Sequence, residues 1–595
     1  MLRKLETSLL QRRRAGKIAS AVWLFLLTPL VGPEVNAFQT RLPAPSASDG
    51  ESSKVTKQPY DSEQGFEQPP MDPEEAAAQF VLPDGFEMNL FAAEPDVRQP
   101  IAMATDARGR LWVAENYTYA ERELNFDESL RDRILILEDT NGDGRADSRK
   151  VFWNQAHKLT SIAMGQGGVW ALCAPQLLFL PDRDGDDRFD GEPIVILDGW
   201  DENSVRHNVV NGLRWGPDGW LYGRHGILAS SLVGRPGAPR ESRVPLNCGI
   251  WRYHPKTDRF EVVATGTTNP WGMDWTQDGE LFFINTVIGH LWHAVPGSHF
   301  ERMYGGDFNP NWYTLMPQIA DHVHWNTEEA WSDIRKEFTA ETDAAGGGHA
   351  HVGLLIYEED QWPDEFRGDI FTLNLHGRRV NRERLEAAGS SYVARHEPDF
   401  AFAADPWFRG IDLVTGPAGQ VWIADWSDTG ECHENDGVHR SSGRIFTLSY
   451  PDGERKPTRV DLTKATLTEL VELAVSGAEW YVRQARRQLV ERCTGQVSET
   501  QRQKVLAELR SRFENAPESL VRLRSLWTLY QLDALSSQSL LTQLSSESPV
   551  LRRWAVRLLA DQTISDPAVV EAFELLATRE QEAVSYTHLT LPTKA

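Results

Sequence analysis

Two stretches of the chain carry oxygen ligands at alternate positions. Asp139, Asn141, Asp143 and Asp147 form one set around Gly142 and Gly144, and Asp182, Asp184, Asp186 and Asp190 form the other, in the same register, around Gly185. Hard cations collect many oxygen donors, and side-chain oxygens at every second residue of a glycine-bent loop wrap such an ion, as in the first half of an EF-hand. The 43-residue offset between the sets suits equivalent places in neighbouring repeats. Structural Ca²⁺ is the expected occupant of both loops. Acidic turns held by side-chain-to-backbone hydrogen bonds are the plainer alternative.

A second group of reactive side chains brackets a recurring strand–glycine turn–strand phrase. His207, Asn211, Asn269, His349, His351 and Arg409 lead into these phrases, whereas Glu115, Asn116, Arg224, His225, His290, His376, Arg378, Asp425 and His433 follow them. An antiparallel hairpin returns to its starting end, so both groups are expected at one end of the fold. Imidazoles, guanidiniums and carboxylates would meet there, while the glycine-turn end looks chemically plain. His349 and His351 share one side of an extended segment and make the start of a metal or cofactor site.

The elements that must hold these groups repeat six times. The phrase stands at Asp106–Trp112, Gly168–Trp170, Asp218–Tyr222, Asp278–Phe282, Gly368–Phe371 and Gly419–Trp422. Each joins a turn glycine to alternating apolar and aromatic residues, the signature of a tight hairpin recurring along a β-propeller. An all-β six-bladed propeller is therefore expected over residues 76–460. From Asp461 the pattern turns helical. Val482 and Arg483 with Ala485 and Leu489 have echoes at Val521 and Leu551, which predicts an all-α HEAT- or armadillo-like solenoid over residues 461–584. Helices that bury their apolar stripes on one another should touch the propeller little, so a cut after Asp461 is expected to leave it folded. Residues 585–595 break the helical phase and are read as a non-native tail.

The N-terminus begins with Arg3, Lys4, Arg12, Arg13, Arg14 and Lys17, followed by an apolar run from Ile18 to Val31 and small residues up to Ala37. That order predicts a signal peptide over residues 1–37, hence an exported, periplasmic or envelope-associated protein. Residues 38–75, rich in Ser, Pro, Glu and Gln, read as a flexible linker. The formal net charge of -25 argues against nucleic acid as a partner. Cys173, Cys248, Cys432 and Cys493 form no C-x-x-C pair. Thr429 stands where a haem-attachment motif ending at Cys432-His433 needs its first cysteine, so no covalent haem is expected in this chain.

Five phrases resemble a known family: Trp215–Tyr222, Asn269–Gly272, Gly346–His351, Leu375–Arg379 and Asp425–His433. They are similar to the exported "membrane-bound dehydrogenase" family, also called PVC-type haem-binding proteins, over about residues 80–580. The propeller of that family is similar to soluble quinoprotein glucose/sorbosone dehydrogenases. The resemblance implies a dehydrogenase that oxidises a sugar or other alcohol with pyrroloquinoline quinone and calcium. It would pass electrons to a cytochrome c haem module that lies outside this chain. It implies His207 as the catalytic base and Asn211, Arg224, His225, Asn269, His376, Arg378 and Arg409 as cofactor-binding residues, the arginines holding carboxylates. Two departures are visible: Thr268 occupies the place of a quinone-contacting arginine, and His207 aligns only with a one-residue insertion. Two other functions are compatible with the residues. One is a non-catalytic binding module for glycan or protein, with the helical region as a docking surface. The other is a metal-dependent hydrolase or lactonase using His349 and His351.

Overall fold

The computed structural model describes residues 69–580 except 121–123, 205–206, 309–313, 335–337, 390, 431–437, 452–458 and 563–565. The expected signal segment, most of the linker, Cys432, His433 and the expected tail lie outside the described residues.

The six phrases fold as six hairpins, each the inner half of a propeller blade. The turn glycines are needed for their backbone: Gly109, Gly219, Gly279 and Gly419 hold φ of 75°, 86°, 83° and 79°, where a side chain is strained. Asp106 shows how such a turn is fixed, accepting hydrogen bonds from the amides of Arg108 and Arg110 and from the Trp112 indole.

The first blade comprises Pro100–Thr105, Leu111–Glu115, Asp132–Glu138 and Ser148–Ala156; the second comprises Leu159–Met164, Gly168–Cys173, Gln176–Pro181 and Ile194–Asp198. The third, Asn211–Trp215, Leu221–His225, Gly249–His254 and Arg259–Thr267, gains a parallel outer strand, Ser298–Arg302. Asn269–Trp275, Leu281–Thr286 and Leu291–Ala294 make the fourth, and His351–Ile356, Ile370–Asn374, Arg379–Ala388 and Ser391–Phe402 the fifth. The sixth joins Gly410–Thr415, Val421–Asp425 and Arg444–Ser449 to the N-terminal strand Glu87–Ala93, which closes the ring.

Each blade is buried on both faces, which explains strands that read as nearly continuous apolar runs. Leu111 and Val113 pack toward the sixth blade, whereas Trp112 and Ala114 pack toward the second. Period-two alternation therefore divides one strand between two cores. Six such cores fill the six interfaces between neighbouring blades.

Among the described residues seven helices follow: Leu467–Val475, Glu479–Gly495, Glu499–Asn515, Ser519–Gln531, Ser537–Gln543, Pro549–Asp561 and Pro567–Arg579. Capping boxes at Thr466/Glu469 and Ser498/Gln501 begin the first and third. Their apolar faces share one core. Among the described residues no helix is long and apolar enough to cross a membrane.

The expectation of few contacts between helices and propeller does not hold. The helices cover the glycine-turn end. Trp527 and Trp554 lie against Gly279, where a Cβ would collide with both, and Gln531 lies against Gly219. Trp480 Nε1 donates to Thr105 Oγ1 at 3.0 Å, and Arg483 Nη1 to Asp274 Oδ1 at 2.7 Å. Arg553 and Arg557 form ion pairs with the fully buried Glu280 at 2.6 and 2.8 Å. Arg252 of the third blade reaches back to Asp561 at 2.5 Å. The apolar stripe that announces helix-on-helix packing says nothing of the opposite face, where Trp and Arg make a second interface.

That interface titrates. Glu359, 2% exposed, accepts the Trp480 amide at 2.9 Å, and burial next to Glu479 raises its pKa from 4.5 to about 8. Between those values the folded state holds a proton that the unfolded state has lost, so stability falls as pH rises through this window. Thermal unfolding of the whole chain is expected at a lower midpoint at pH 8 than at pH 5.5. Glu359→Gln, which keeps the acceptor and removes the titration, should flatten that slope. An unchanged slope in the variant would refute the assignment.

Candidate functional site

Strand register puts the leading and following residues of each hairpin side by side: Pro100 with Glu115, Asn211 with Arg224, Asn269 with Thr286, His351 with Asn374 and Gly410 with Asp425. At this end of the ring lies a cavity of about 410 Å³. His207, Asn208, Thr268, Asn269, His349, Arg409 and Asp428 supply its polar lining; Tyr119, Phe126, Trp271, Tyr304, Trp331 and Trp426 supply aromatic walls. Concave sites with apolar walls and a few convergent polar groups are where small ligands bind. Tyr304 and Trp331 remain 49% and 37% exposed, so the rim offers ring faces to whatever enters.

The other end of the axis is closed. Arg214, Asp274 and Asp412 stand on the inner strands of the third, fourth and sixth blades, yet Arg214 lies 3.8 Å from both carboxylates. Side chains of blades so far apart around the ring meet only at its centre. Arg483 completes the plug from the helical side by its bond to Asp274. The cavity therefore opens at one end only.

The expected site residues divide by what they already hold. Asn211 is buried, its Nδ2 donating to the carbonyls of Val209 and Pro270, its Oδ1 without a donor. Asn269 Oδ1 and Thr268 Oγ1 are likewise buried without partners. His225 is not at the cavity: its ring nitrogens are 2.7 Å from Gly226 O and from Ser231 Oγ, and burial lowers its pKa to about 4. Arg409 lines the cavity, but its guanidinium donates to the carbonyls of Pro406, Phe408, Thr429 and Gly430. His376 stacks edge-on against His349 with centroids 4.8 Å apart, and Arg378 is not among the lining residues. His351, two residues beyond His349, leaves the cavity and lies fully buried against His290 and His324.

Arg224 is the exception among these groups. It is 8% exposed, and its Nε and Nη1 have no acceptor. Its guanidinium lies directly over Gly212, where a Cβ would clash with it. Gly212 is the second residue of its inner strand, the level at which Ile101, Thr160, Val352 and Ile411 of other blades line the cavity. Arg224 is thus a buried cation at the level of the cavity's inner residues, though not itself among the lining residues, with its pKa pushed down by burial to about 9 against the pull of Asp412.

The acidic loops differ from each other. Asp139 accepts the amides of Gly142 and Gly144, Asn141 that of Asp143, Asp143 that of Arg145, and Asp147 both the amide and hydroxyl of Thr140. The second loop repeats part of this pattern, Asp184 accepting the Asp186 amide, Asp186 that of Arg188 and Asp190 that of Arg183, but here Asp182, Asp184 and Asp186 also present carboxylate oxygens within 4.8 Å of one another. Asp182 Oδ1 is buried without a partner, and burial beside Asp187 and Asp186 raises its pKa.

Sequence reasoning missed the aromatic walls. Met303, Tyr304 and Trp331 come from the long connection between the fourth and fifth blades, which belongs to no repeat, and Trp426 and Asp428 sit in a phrase noted for other residues.

A family model described as "Domain of unknown function (DUF7133)" matches residues 72–433. No curated protein matches the sequence. Solved structures similar to it include the aldose sugar dehydrogenase of Streptomyces coelicolor in its PQQ-bound form, at 16% identity and TM-score 0.39, covering 62% of this chain and 99% of that one. The soluble aldose sugar dehydrogenase of Escherichia coli is similar at 12% identity and TM-score 0.36, covering 61% and 99%. Streptogramin B lyase is similar at 10% identity and TM-score 0.33, covering 61% and 97%. These chemistries differ, so functional argument rests on the residues of the site.

Removing a buried charge whose hydrogen-bond donors are unfilled stabilises a fold. Arg224→Met, which keeps the bulk, should raise the stability of the ligand-free protein by on the order of 1–2 kcal/mol, read as a higher unfolding midpoint. A lower midpoint would mean that the guanidinium is held by acceptors in the free protein.

Proposed function

For a chain that belongs to the family described as domain of unknown function DUF7133, we propose a quinoprotein-like oxidoreductase that takes a sugar or other alcohol in the propeller mouth. The observation that carries this reading is the one-ended cavity, walled by aromatic rings and by His207 and His349, with the unfilled donors of Arg224 buried at the level of its inner residues. Aromatic faces suit the apolar faces of a sugar ring or a flat heterocycle, and the amides, imidazoles and Asp428 suit hydroxyl groups.

The unpartnered buried atoms also bear on pyrroloquinoline quinone. Arg224 Nε and Nη1 with Thr268 Oγ1 would hold one of its carboxylates, and Trp271 and Trp426 would border its plane. When bound, the quinone supplies a two-electron acceptor for the alcohol. Arg409 is committed to backbone carbonyls, so Arg224 carries the charge pairing. The His207 imidazole accepts the substrate hydroxyl proton on a ring nitrogen, as loss of an alcohol's C–H electrons requires. His349 and Asn269 orient the remaining hydroxyls.

The same reading places the protein outside the cytoplasm, on the strength of the basic and apolar order of residues 3–31. It makes a cytochrome c module the electron acceptor. A protein partner of the helical region would meet its outer face, since Trp480, Trp527 and Trp554 are spent on the propeller.

Purified whole chain with pyrroloquinoline quinone and Ca²⁺ should reduce an artificial dye with members of a sugar and alcohol panel. His207→Ala should lower turnover about a hundred-fold while leaving quinone affinity unchanged. Arg224→Met should weaken quinone binding by about ten-fold or more, the scale of a lost charged hydrogen bond. Absence of quinone binding at high micromolar concentration would sink the proposal, and binding without turnover on any substrate would favour a glycan-binding module.

Calcium belongs to the same proposal, in the loop of Asp182, Asp184 and Asp186. Ca²⁺ should raise the unfolding midpoint through preferential binding to the folded state. Asp186→Ala should abolish that gain and Asp143→Ala should leave it. Equal melting of calcium-loaded and EDTA-treated protein would reduce both loops to turns.

A further inference from the structure

We propose that His290, His322, His324 and Glu383 form a buried site for one zinc-class divalent metal ion that fastens the connection between the fourth and fifth blades to both of them. The inference is independent of the chemistry in the mouth.

The four residues come from three separate segments. His290 sits in the turn between Leu281–Thr286 and Leu291–Ala294, His322 and His324 in the long connection, and Glu383 on strand Arg379–Ala388. One donor atom of each lies within 4.8 Å of all the others. His322 Nε2 is 3.0 Å from His324 Nε2, and Glu383 Oε1 is 3.3 Å from His324 Nε2 and 3.7 Å from His290 Nε2. Ligands on a tetrahedral ion at bond lengths of about 2.0–2.1 Å stand about 3.3 Å apart. The observed spacings bracket that value.

Hydrogen bonding points the same way. Glu383 is 0% exposed, yet neither carboxylate oxygen accepts a hydrogen bond; both nitrogens of His290 and Nδ1 of His324 are also without partners. A lone carboxylate in such a place is strongly unfavourable, and a divalent cation neutralises it while using the imidazole lone pairs. His322 Nδ1 donates to Asp321 Oδ1 at 3.0 Å, which leaves the Nε2 lone pair directed at the cluster. Metal-bound histidines are commonly oriented by such a carboxylate. Three imidazoles and one carboxylate suit zinc and its neighbours, and provide too few oxygens for Ca²⁺ or Mg²⁺. Four protein donors fill a tetrahedral shell, so the role is structural. His351, fully buried with both nitrogens unpartnered, packs its ring 4.8 Å from those of His290 and His324 and closes the cluster.

The connection held by this site supplies Met303, Tyr304, Trp331 and His349 to the cavity, so the ion would set the position of one wall of the mouth.

The whole chain, purified without added metal or chelator, should contain about one zinc per chain by elemental analysis. Co²⁺ exchanged into it should show the strong visible bands of tetrahedral coordination. Glu383→Gln and His324→Ala should each weaken zinc at least ten-fold in competition with a chromophoric chelator. Asp321→Asn, a same-size change at a half-exposed position that also pairs with Arg395, should weaken it by about ten-fold or more. Asp186→Ala, in the acidic loop, should retain it. No zinc bound and none taken up, a weak octahedral cobalt spectrum, or wild-type affinity in Asp321→Asn would each overturn the proposal. Should Glu383→Gln fail to fold, the cobalt spectrum and Asp321→Asn still decide it.

Discussion

Everything in the propeller depends on one closure, the pairing of the N-terminal strand Glu87–Ala93 with Arg444–Ser449 of the sixth blade. Until these two distant segments meet, the first and sixth blades each lack a neighbour, and the core between them cannot form. The chain secures the junction with more than ladder hydrogen bonds. Arg444, fully buried, donates to Asp405 and to the carbonyl of Met71, and Gln99 bonds the backbone of Ser442 and His439. Joining segments so far apart carries a large loop-closure entropy, and a buried guanidinium with several acceptors offsets part of it only when the ring is shut.

With the ring closed, its axis becomes a problem of charge. Inner strands carry Arg214, Arg224, Asp274 and Asp412 to the centre, and the helix Glu479–Gly495 adds Arg483. Two carboxylates face three guanidiniums. Arg214 and Arg483 take direct positions on Asp274, while Arg224, nearer the mouth, is left with unfilled donors. The surplus cation is buried at the level of the cavity's inner residues rather than at the sealed end. The helices thus do more than extend the molecule: by sealing one end they turn a channel into a pocket and decide which end carries chemistry.

Much of this architecture is legible in the sequence because its cause is local. A turn glycine at positive φ followed by alternating apolar residues is a property of a few neighbouring residues, and all six hairpins follow it. What the sequence hid depends on partners far away along the chain. His349 and His351 share a strand face in principle, yet the strand begins only at His351, which packs against His290 and His324, while His349 stays before it against His376. Arg409 has the residue type of a ligand clamp, but carbonyls of its own neighbourhood reach it first. The two acidic loops share a register, and both bond their own backbone, but only in the second do three carboxylates also converge.

The glycine-turn end shows how one residue answers two constraints at once. Gly279 needs a backbone conformation at φ 83° for its turn, and it also needs no side chain because Trp527 and Trp554 occupy the space above it. Gly219 is held in the same way by its φ of 86° and by Gln531. At Gly142 and Gly368, on turns that no helix covers, only the backbone requirement remains, since nothing lies within 4 Å of an added Cβ. A plain turn in the sequence can therefore be a docking surface in the fold. The close approach that glycine permits lets the tryptophans of the helices reach the propeller, and the arginines beside them then find Asp274, Asp278 and Glu280 within bonding distance.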